Sequence, residues 1–301
     1  MKNTEKKYKF AILGGDRRQE IVAEELLRRG CSVRTWGIGE VSGAEVCSSV
    51  ERAIDRSCVI LLPLPATRNK TDLAQKDGDN GSPVKLADIV KLAAFHRCGL
   101  IMGGMIPDEI KSLGEERGVE VIDFYLSEDL QLKNALPSAE GSLMLAMEHT
   151  DITVSGMNAL VCGYGRIGRI LCALLSSLGA SVTVGARREE VLREAGLLGY
   201  ETVRLDGDAL ALADVADRSD VIFNTVPDCI FGEAVLSRME KKPLYIEIAS
   251  LPGGIDTAKA RERGIKLLFA PSLPGKYAPV SAGRYIFETV SDILKEKGVS
   301  L

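Results

Sequence analysis

The chain has 301 residues, of which 46% are hydrophobic and 27% are charged, and its formal net charge is −4. This composition is typical of a globular protein with enough apolar residues for two cores, so we expect two domains. The negative net charge argues against nucleic acid as a partner, although local basic positions can still bind small anions.

Membrane insertion and metal binding are not expected. No uninterrupted apolar stretch approaches the roughly 18 residues that would span a membrane. The apolar segment near the N-terminus ends at Gly14, which makes it too short for a signal peptide. The seven cysteines lack the paired spacing of a metal site, and several lie in apolar runs. We therefore predict reduced core thiols, no metal and a cytoplasmic location.

Strands and helices alternate through the first part of the chain, which is typical of a parallel, doubly wound sheet. The turn after the first strand, Gly14-Gly15-Asp16-Arg17, lacks a complete glycine fingerprint. We therefore expect this domain, residues 1–135, to bind a substrate or a partner rather than a dinucleotide. We predict strands at 8–13, 32–36, 58–62, 99–102 and 119–122, helices at 19–29, 48–56, 86–95 and 108–117, and a glycine- and asparagine-rich loop at 77–83.

A helical pattern at 138–148 lies within a connecting segment that we place at 136–152. Pro137-Ser138-Ala139-Glu140 is a plausible helix start, because proline fits the first turn and serine can cap it. We expect this segment to lead into a second domain at 153–280. A last helical segment at 281–301 is expected to pack back on the first domain.

The second domain opens with an apolar strand that runs into Gly163-Tyr164-Gly165-Arg166-Ile167-Gly168 and then into a helical pattern. In such a unit the first glycine permits a tight turn, the second lets a pyrophosphate approach the backbone, and the third lets the helix pack close to the strand. The N–H groups and positive dipole end of the helix face the phosphates. The alternative is a glycine-tolerant turn in another kind of α/β unit. A second strand at 181–185 favours the dinucleotide site.

The end of that second strand predicts which dinucleotide is bound. An NAD site usually carries Asp or Glu about 20 residues past the glycines, to bind the ribose 2′-hydroxyl. Here the strand leads to Arg187 and Arg188 instead. Guanidinium groups suit a 2′-phosphate, so we predict NADP(H), with NAD(H) as the alternative. A competing interpretation is that one or both arginines only begin the next helix in solvent.

The rest of the second domain continues the alternation of strands and helices. Asn224-Thr225-Val226-Pro227 follows the carboxyl end of a strand, where ligands bind in such sheets, so we assign it to the nicotinamide side. The predicted fold class is α/β, with two Rossmann-like, doubly wound parallel-sheet domains joined by a helix. The remaining strands are predicted at 203–204, 220–224, 244–248 and 266–269, and helices from 189 and at 210–216.

This layout is that of D-2-hydroxyacid dehydrogenases and their relatives. Generic members carry a catalytic histidine after the cofactor domain, whereas both histidines of this chain, His96 and His149, precede the fingerprint. Five loops together resemble a narrower family, the A subunits of dipicolinate synthase, over essentially the whole chain. These loops are Gly14-Gly15-Asp16-Arg17, Asn134-Ala-Leu-Pro-Ser-Ala-Glu140-Gly141, Asn224-Thr-Val-Pro227, Ala249-Ser250-Leu-Pro-Gly-Gly254 and Leu273-Pro-Gly-Lys276-Tyr-Ala-Pro279.

The resemblance implies NADP-linked oxidation of dihydrodipicolinate to dipicolinate in the mother cell of a spore-forming bacterium. It also implies an oligomer with a second, flavoprotein-like partner protein. Binding of a dicarboxylate needs cationic or N–H donors, and we expect Arg17 and Lys276 to face a cleft between the domains. Ser138 is expected to add a hydroxyl and a helix N-terminus, and Glu140 is the candidate proton acceptor. Gly15, Asp16, Ser250 and Gly275 complete the candidate substrate-binding set.

Each of these residues also has a purely structural interpretation. Arg17 and Lys276 can be solvated side chains, Ser138 a plain helix cap, and Glu140 a first-turn glutamate stabilised by the helix dipole. Two other functions stay open as well. One is an NADP-dependent dehydrogenase of a 2-keto or 2-hydroxy acid, against which the missing late histidine counts. The other is a non-catalytic nucleotide-sensing protein, against which the polar groups in the loops count.

Overall fold

The computed structural model describes residues 8–75, 83–299 and 301. Residues 77–82 of the predicted loop at 77–83 lie outside this part of the chain. The first sheet contains β1 (Lys9–Leu13), β2 (Ser32–Trp36), β3 (Glu45–Val46), β4 (Val59–Leu61), β5 (Leu100–Gly103) and β6 (Glu120–Asp123). The second sheet contains β7 (Asn158–Cys162), β8 (Ser181–Ala186), β9 (Glu201–Arg204), β10 (Val221–Asn224), β11 (Leu244–Glu247) and β12 (Leu267–Phe269).

Helices connect most of these strands, and β2 and β3 follow one another without a helix between them. The helices of the first half are α1 (Arg17–Arg28), α2 (Val50–Ile54), α3 (Leu86–Phe95), α4 (Asp108–Arg117) and α5 (Glu128–His149). Those of the second half are α6 (Arg166–Ser177), α7 (Glu189–Leu197), α8 (Ala209–Arg218), α9 (Glu233–Leu236), α10 (Thr257–Glu262), α11 (Leu273–Tyr277) and α12 (Pro279–Glu296). Among the residues described, no helix combines the length and the apolar character that crossing a membrane requires.

The chain forms two compact units. Of the described residues, those up to Asn134 and those from Ala278 onward form unit 1, and Ala135–Tyr277 forms unit 2. The sheet of unit 1 has the order β3-β2-β1-β4-β5-β6, and the sheet of unit 2 has the order β9-β8-β7-β10-β11-β12. Every pairing in both sheets is parallel. Both orders are those of a doubly wound dinucleotide-binding fold, which confirms the predicted fold class.

Helix α12 belongs to the core of unit 1. Its buried residues Ile286, Val290 and Leu294 pack in the same cluster as Val22 and Leu26 of α1. The two helices approach closely because α12 carries a glycine where they meet. At Gly283 a Cβ atom would lie 2.7 Å from the Cβ of Ile21.

The segment that was predicted to begin a helix at Pro137 lies inside one. Helix α5 runs unbroken from Glu128 to His149 and contains Pro137. The prediction was wrong because proline and serine favour a first helical turn. Here the helix begins earlier, after Ser127, whose hydroxyl accepts a hydrogen bond from the Leu130 N–H at 3.3 Å. Proline only deprives the helix of one internal hydrogen bond.

Candidate functional site

The turns that follow the strands of unit 2 meet at one edge of its sheet. Because all the strands are parallel, their carboxyl ends lie on the same side. Gly163 follows β7, Arg187 follows β8, and Thr225 follows β10. In the strand order, β7 is the central strand from which the two halves of the sheet diverge. This switch point is where doubly wound sheets bind ligands.

The glycine turn after β7 has the geometry that the fingerprint predicts. Gly163 has φ +96°, a left-handed conformation that glycine adopts without strain. Its N–H donates to the Gly185 carbonyl at 2.8 Å, which ties the turn to β8. At Gly168 a Cβ atom would overlap the Gly163 carbonyl oxygen. The first and third glycines are therefore required by the backbone itself.

Gly165 has a different role from the other two glycines. It is the N-cap of α6, a 12-residue helix, and its φ of −87° is accessible to any residue. Apart from its chain neighbours, no heavy atom of the described residues lies within 4 Å of the position that a Cβ atom would take there. The N-terminus of α6 therefore opens onto free space, as binding of a pyrophosphate requires. This turn fits a dinucleotide.

Two side chains of the glycine turn that were predicted to bind the cofactor pack in the core of unit 2. Tyr164 was predicted to contact the cofactor, but its ring is buried in the core of unit 2. The guanidinium of Arg169 lies 4.5 Å from the centre of that ring. Ile167 packs against the same core. Tyr164 is therefore buried and Ile167 half-buried, whereas the Arg166 side chain is exposed.

The two arginines after β8 are in different surroundings. Arg187 is exposed, and its Nη2 donates to the Asp228 carboxylate at 2.5 Å. This hydrogen bond and the charge of Arg187 hold the pKa of Asp228 below its usual value. Arg188 is the N-cap residue of α7 and lies 3.7 Å from Glu190. The sequence places no carboxylate at the end of β8, and the fold supplies one from the turn after β10.

The turn after β10 is fixed beside the glycine turn. The N–H and the hydroxyl of Thr225 both donate to the Cys162 carbonyl, each at 2.9 Å. A Cβ atom at Gly163 would overlap the Thr225 hydroxyl and lie 3.0 Å from Val226. Thr225 and Val226 are half-buried, and Pro227 is exposed. The predicted nicotinamide-side residues therefore border the glycine turn, as the sheet topology requires.

A buried carboxylate that no sequence motif indicates lies beneath these turns. Glu247 is 3% exposed and accepts hydrogen bonds from the Ala249 N–H at 3.1 Å and the Gly254 N–H at 2.7 Å. It also accepts one from the side-chain amide of Asn224 at 2.7 Å. Burial raises the pKa of Glu247 above its usual value, although these hydrogen bonds act in the opposite direction.

Asn224 connects this carboxylate to the turn after β10. It was predicted to bind the cofactor, but its side chain is fully buried. Its amide also donates to the Val226 carbonyl at 2.9 Å and accepts from the Val226 N–H at 3.1 Å. The side chain therefore holds the turn in place instead of facing a ligand. Ser250, in the loop that Glu247 holds, is exposed.

Two of the predicted substrate residues lie in one region of unit 2. Helix α11 packs on α5 at Gly141, where a Cβ atom would lie 3.1 Å from Leu273 and from Tyr277. Glu140 and Lys276 are sequence neighbours of these contacting residues, and both are exposed. The prediction that Ser138 offers a substrate its hydroxyl and a helix N-terminus was wrong. Ser138 is buried within α5, far from the N-terminus of that helix, and Gly275 is half-buried.

The corresponding turn of unit 1 is closed by charged side chains. Gly14 follows β1 with φ +64° and Gly15 follows with φ +101°. Asp16 is the N-cap of α1, the position that Gly165 holds at α6. Its carboxylate accepts from the Arg18 N–H at 3.0 Å and from the Arg18 guanidinium at 2.7 Å. A carboxylate at this position repels a phosphate group and so disfavours a dinucleotide at this turn.

Arg18, which lies outside the predicted candidate set, is the buried cation of this turn. It is 6% exposed, and its guanidinium also donates to the Leu64 carbonyl at 2.6 Å. Burial alone would raise the pKa of Asp16, but hydrogen bonds and charge attraction from Arg18 lower it below its usual value. The predicted candidate Arg17 is exposed on the first turn of α1.

Replacing Arg18 by alanine is expected to destabilise the protein by about 2–4 kcal/mol, because it leaves the Asp16 carboxylate without its guanidinium partner and the Leu64 carbonyl without its donor. In the folded protein Asp16 has a lowered pKa, so its pairing stabilises the protein above about pH 3.8 and is lost on acidification. The variant should lack the part of this pH dependence that comes from the Arg18 guanidinium. Chemical denaturation at several pH values measures both effects. The exposed Arg17→Ala variant is the control, and equal stability of the two variants would contradict this role of Arg18.

Comparison with known proteins agrees with the resemblance of the loops. Residues 9–125 match the family model of the N-terminal domain of the A subunit of dipicolinate synthase. The chain is 31% identical over 295 residues to the dipicolinate synthase A subunit of Bacillus subtilis (strain 168), with 96% of each chain covered.

Two solved structures of such subunits are similar over nearly the full length. The dipicolinate synthase A subunit from Bacillus subtilis matches with a TM-score of 0.80 at 29% identity, covering 97% of both chains. The dipicolinate synthase A subunit from Bacillus halodurans matches with a TM-score of 0.81 at 28% identity, covering 95% of this chain and 97% of that one. The chain therefore belongs to the family of dipicolinate synthase A subunits.

Proposed function

We propose that the protein is an oxidoreductase that converts dihydrodipicolinate to dipicolinate with NADP+ as the hydride acceptor. Membership of the family of dipicolinate synthase A subunits supports the substrate class. The observation that carries the proposal is the open backbone position at Gly165, at the N-terminus of a long helix and at the switch point of the sheet. That arrangement suits a pyrophosphate.

Different residues of unit 2 would bind different parts of the cofactor. The turn from Gly163 to Gly168 would hold the pyrophosphate, and Arg187 would hold the 2′-phosphate. Thr225 and Val226, held beside Gly163, would border the nicotinamide. When bound, the nicotinamide accepts a hydride, and the protein contributes positioning and electrostatics.

Oxidation of the substrate releases a hydride and a proton and leaves an aromatic ring. We propose that Lys276 binds a substrate carboxylate, since an ammonium at an exposed position of α11 is a suitable donor. Glu140 is the proposed proton acceptor, and its exposure lets it pass the proton on to water. Ser250 and Gly275 stay candidate substrate contacts in unit 2, and the predictions for Gly15, Asp16 and Arg17 rest on the sequence alone.

We also propose that the chain works in the cytoplasm of a sporulating cell, together with a second, flavoprotein-like partner protein. The test is spectroscopic. Purified protein is mixed with NADP+ and dihydrodipicolinate that has been freshly made by its producing enzyme, with and without that partner protein. Absorbance of reduced cofactor together with that of dipicolinate is the expected result. Binding of NADP+ without turnover in any combination would contradict the proposed reaction and favour the sensing or 2-hydroxy-acid alternatives.

Lys276→Ala should raise the apparent KM for dihydrodipicolinate by about tenfold, since it removes one charge-assisted hydrogen bond. The Kd for NADP+ should not change, because Lys276 lies outside the turns that would hold the cofactor. Steady-state kinetics and cofactor titration separate the two quantities. Lys242→Ala is the matched control. Lys242 is exposed and precedes β11, so it lies at the amino-terminal ends of the strands, away from the turns at their carboxyl ends. Loss of NADP+ binding in the Lys276 variant would show that Lys276 has a structural role in α11.

A further inference from the structure

We propose that Asp228 is a cofactor-specificity residue that sets the balance between NADP+ and NAD+ by competing for Arg187. This inference rests on the proposed function, because it concerns the same dinucleotide site. The sequence assigns Arg187, at the end of β8, to the 2′-phosphate, yet in the structure its guanidinium donates to the Asp228 carboxylate at 2.5 Å. The cation expected to select NADP+ is already paired.

The position of Asp228 follows from the fold. It is four residues past Asn224, the last residue of β10, and the turn between them is fixed by Thr225 against β7. Strand β10 lies on one side of β7 and strand β8 on the other. The ion pair therefore joins the turns of the two strands that flank the glycine turn, at the end of β8 where the adenosine ribose is recognised in this fold.

The two groups select opposite cofactors. The Asp228 carboxylate, which Arg187 holds near the end of β8, can accept a hydrogen bond from a ribose 2′-hydroxyl, and this favours NAD+. It repels a 2′-phosphate, whereas the guanidinium attracts one. For NADP+ to bind through Arg187, its phosphate must replace Asp228 as the partner of the guanidinium. Binding of NAD+ leaves the pair intact.

Solvent exposure makes this exchange feasible. The side chains of Arg187 and Asp228 are 44% and 62% exposed, respectively, so the pair can open without breaking the core. Arg188 is a weaker candidate for the same role, since it lies at the start of α7 near Glu190. Asp228 thus limits the preference for NADP+ that the arginine alone would give.

The experiment measures Kd for NADP+ and NAD+ by isothermal titration calorimetry with the full-length protein and no substrate. Asp228→Asn should tighten NADP+ binding by about tenfold or more, because Arg187 is released and the repulsive charge is removed. The Kd for NAD+ should stay the same or rise. In an Arg187→Ala background the gain for NADP+ should be smaller. Asp206→Asn is the control, since Asp206 pairs with Arg204 after β9 and is exposed.

The outcomes separate this inference from the proposed function. If the unaltered protein binds NADP+ but Asp228→Asn changes neither Kd, or changes both equally, Asp228 has no role in specificity and the proposed function stands. If the unaltered protein binds neither dinucleotide, the cofactor assignment fails and the inference fails with it. A shift in the ratio of the two Kd values that depends on Arg187 supports it.

Discussion

Gly165→Ala should weaken NADP+ binding by about 30-fold or more, about 2 kcal/mol, with only a small fall in the melting temperature, since alanine is a poorer N-cap than glycine. Apart from its chain neighbours, the new methyl group meets no heavy atom of the described residues within 4 Å, and the backbone conformation at Gly165 is open to alanine. The substitution weakens cofactor binding, because the methyl group occupies the space that a pyrophosphate needs at the N-terminus of α6.

The neighbouring glycines provide the comparison. Gly168→Ala places a methyl group on the Gly163 carbonyl, and Gly163→Ala imposes a positive φ on a residue with a side chain. Both variants should melt at a lower temperature, since overpacking and strain cost about 1–3 kcal/mol each. Differential scanning fluorimetry and NADP+ titration distinguish the two kinds of effect. Unimpaired NADP+ binding by a folded Gly165→Ala protein would show that no phosphate lies over this turn.

Much of the fold can be predicted from local sequence, because each sheet alternates apolar strands with amphipathic helices. The predicted β2, α3 and α4 coincide with the observed elements, and most other strands agree within one or two residues. The failures also have local causes. Strand β3 and helix α11 are each too short to show a periodic pattern of apolar residues. Pro137 resembles a helix start although it lies inside α5.

The candidate site is less predictable, because its decisive contacts join distant parts of the chain. The glycine turn is a contiguous motif, so its conformation follows from the sequence. The ion pair of Arg187 with Asp228 joins turns that are 41 residues apart, and the hydrogen bond of Asn224 to Glu247 spans 23. A glutamate in the strand pattern at 244–248 gives no local signal that it is buried or that it binds two loops.

Glu247→Gln should lower the free energy of unfolding by about 2–4 kcal/mol. Both carboxylate oxygens of Glu247 accept hydrogen bonds, one from Gly254 and the other from Ala249 and Asn224. In both the ionised and the protonated carboxyl group each oxygen has a lone pair that can accept from an N–H, whereas the NH2 group of glutamine cannot accept and faces an N–H donor whichever way the amide is oriented. At least one buried hydrogen bond is lost, and the loop from Ala249 to Gly254 loses its anchor. Glu240→Gln, at an exposed position, should change stability by less than about 0.5 kcal/mol.

The stability difference between the two proteins should also depend on pH, with a definite sign. Because burial raises the pKa of Glu247 above 4.5 in the folded protein, the folded state binds the proton more tightly than the unfolded state. The contribution of Glu247 to stability is therefore complete below about pH 4.5 and decreases as pH rises through the raised pKa. Glutamine does not ionise, and the other titrating groups are common to both proteins. The difference in unfolding free energy between the unaltered protein and Glu247→Gln should accordingly become smaller as the pH of the urea titrations is raised above about 4.5. A gap that widens over this range would mean that the hydrogen bonds from Gly254, Ala249 and Asn224 outweigh burial and hold Glu247 ionised.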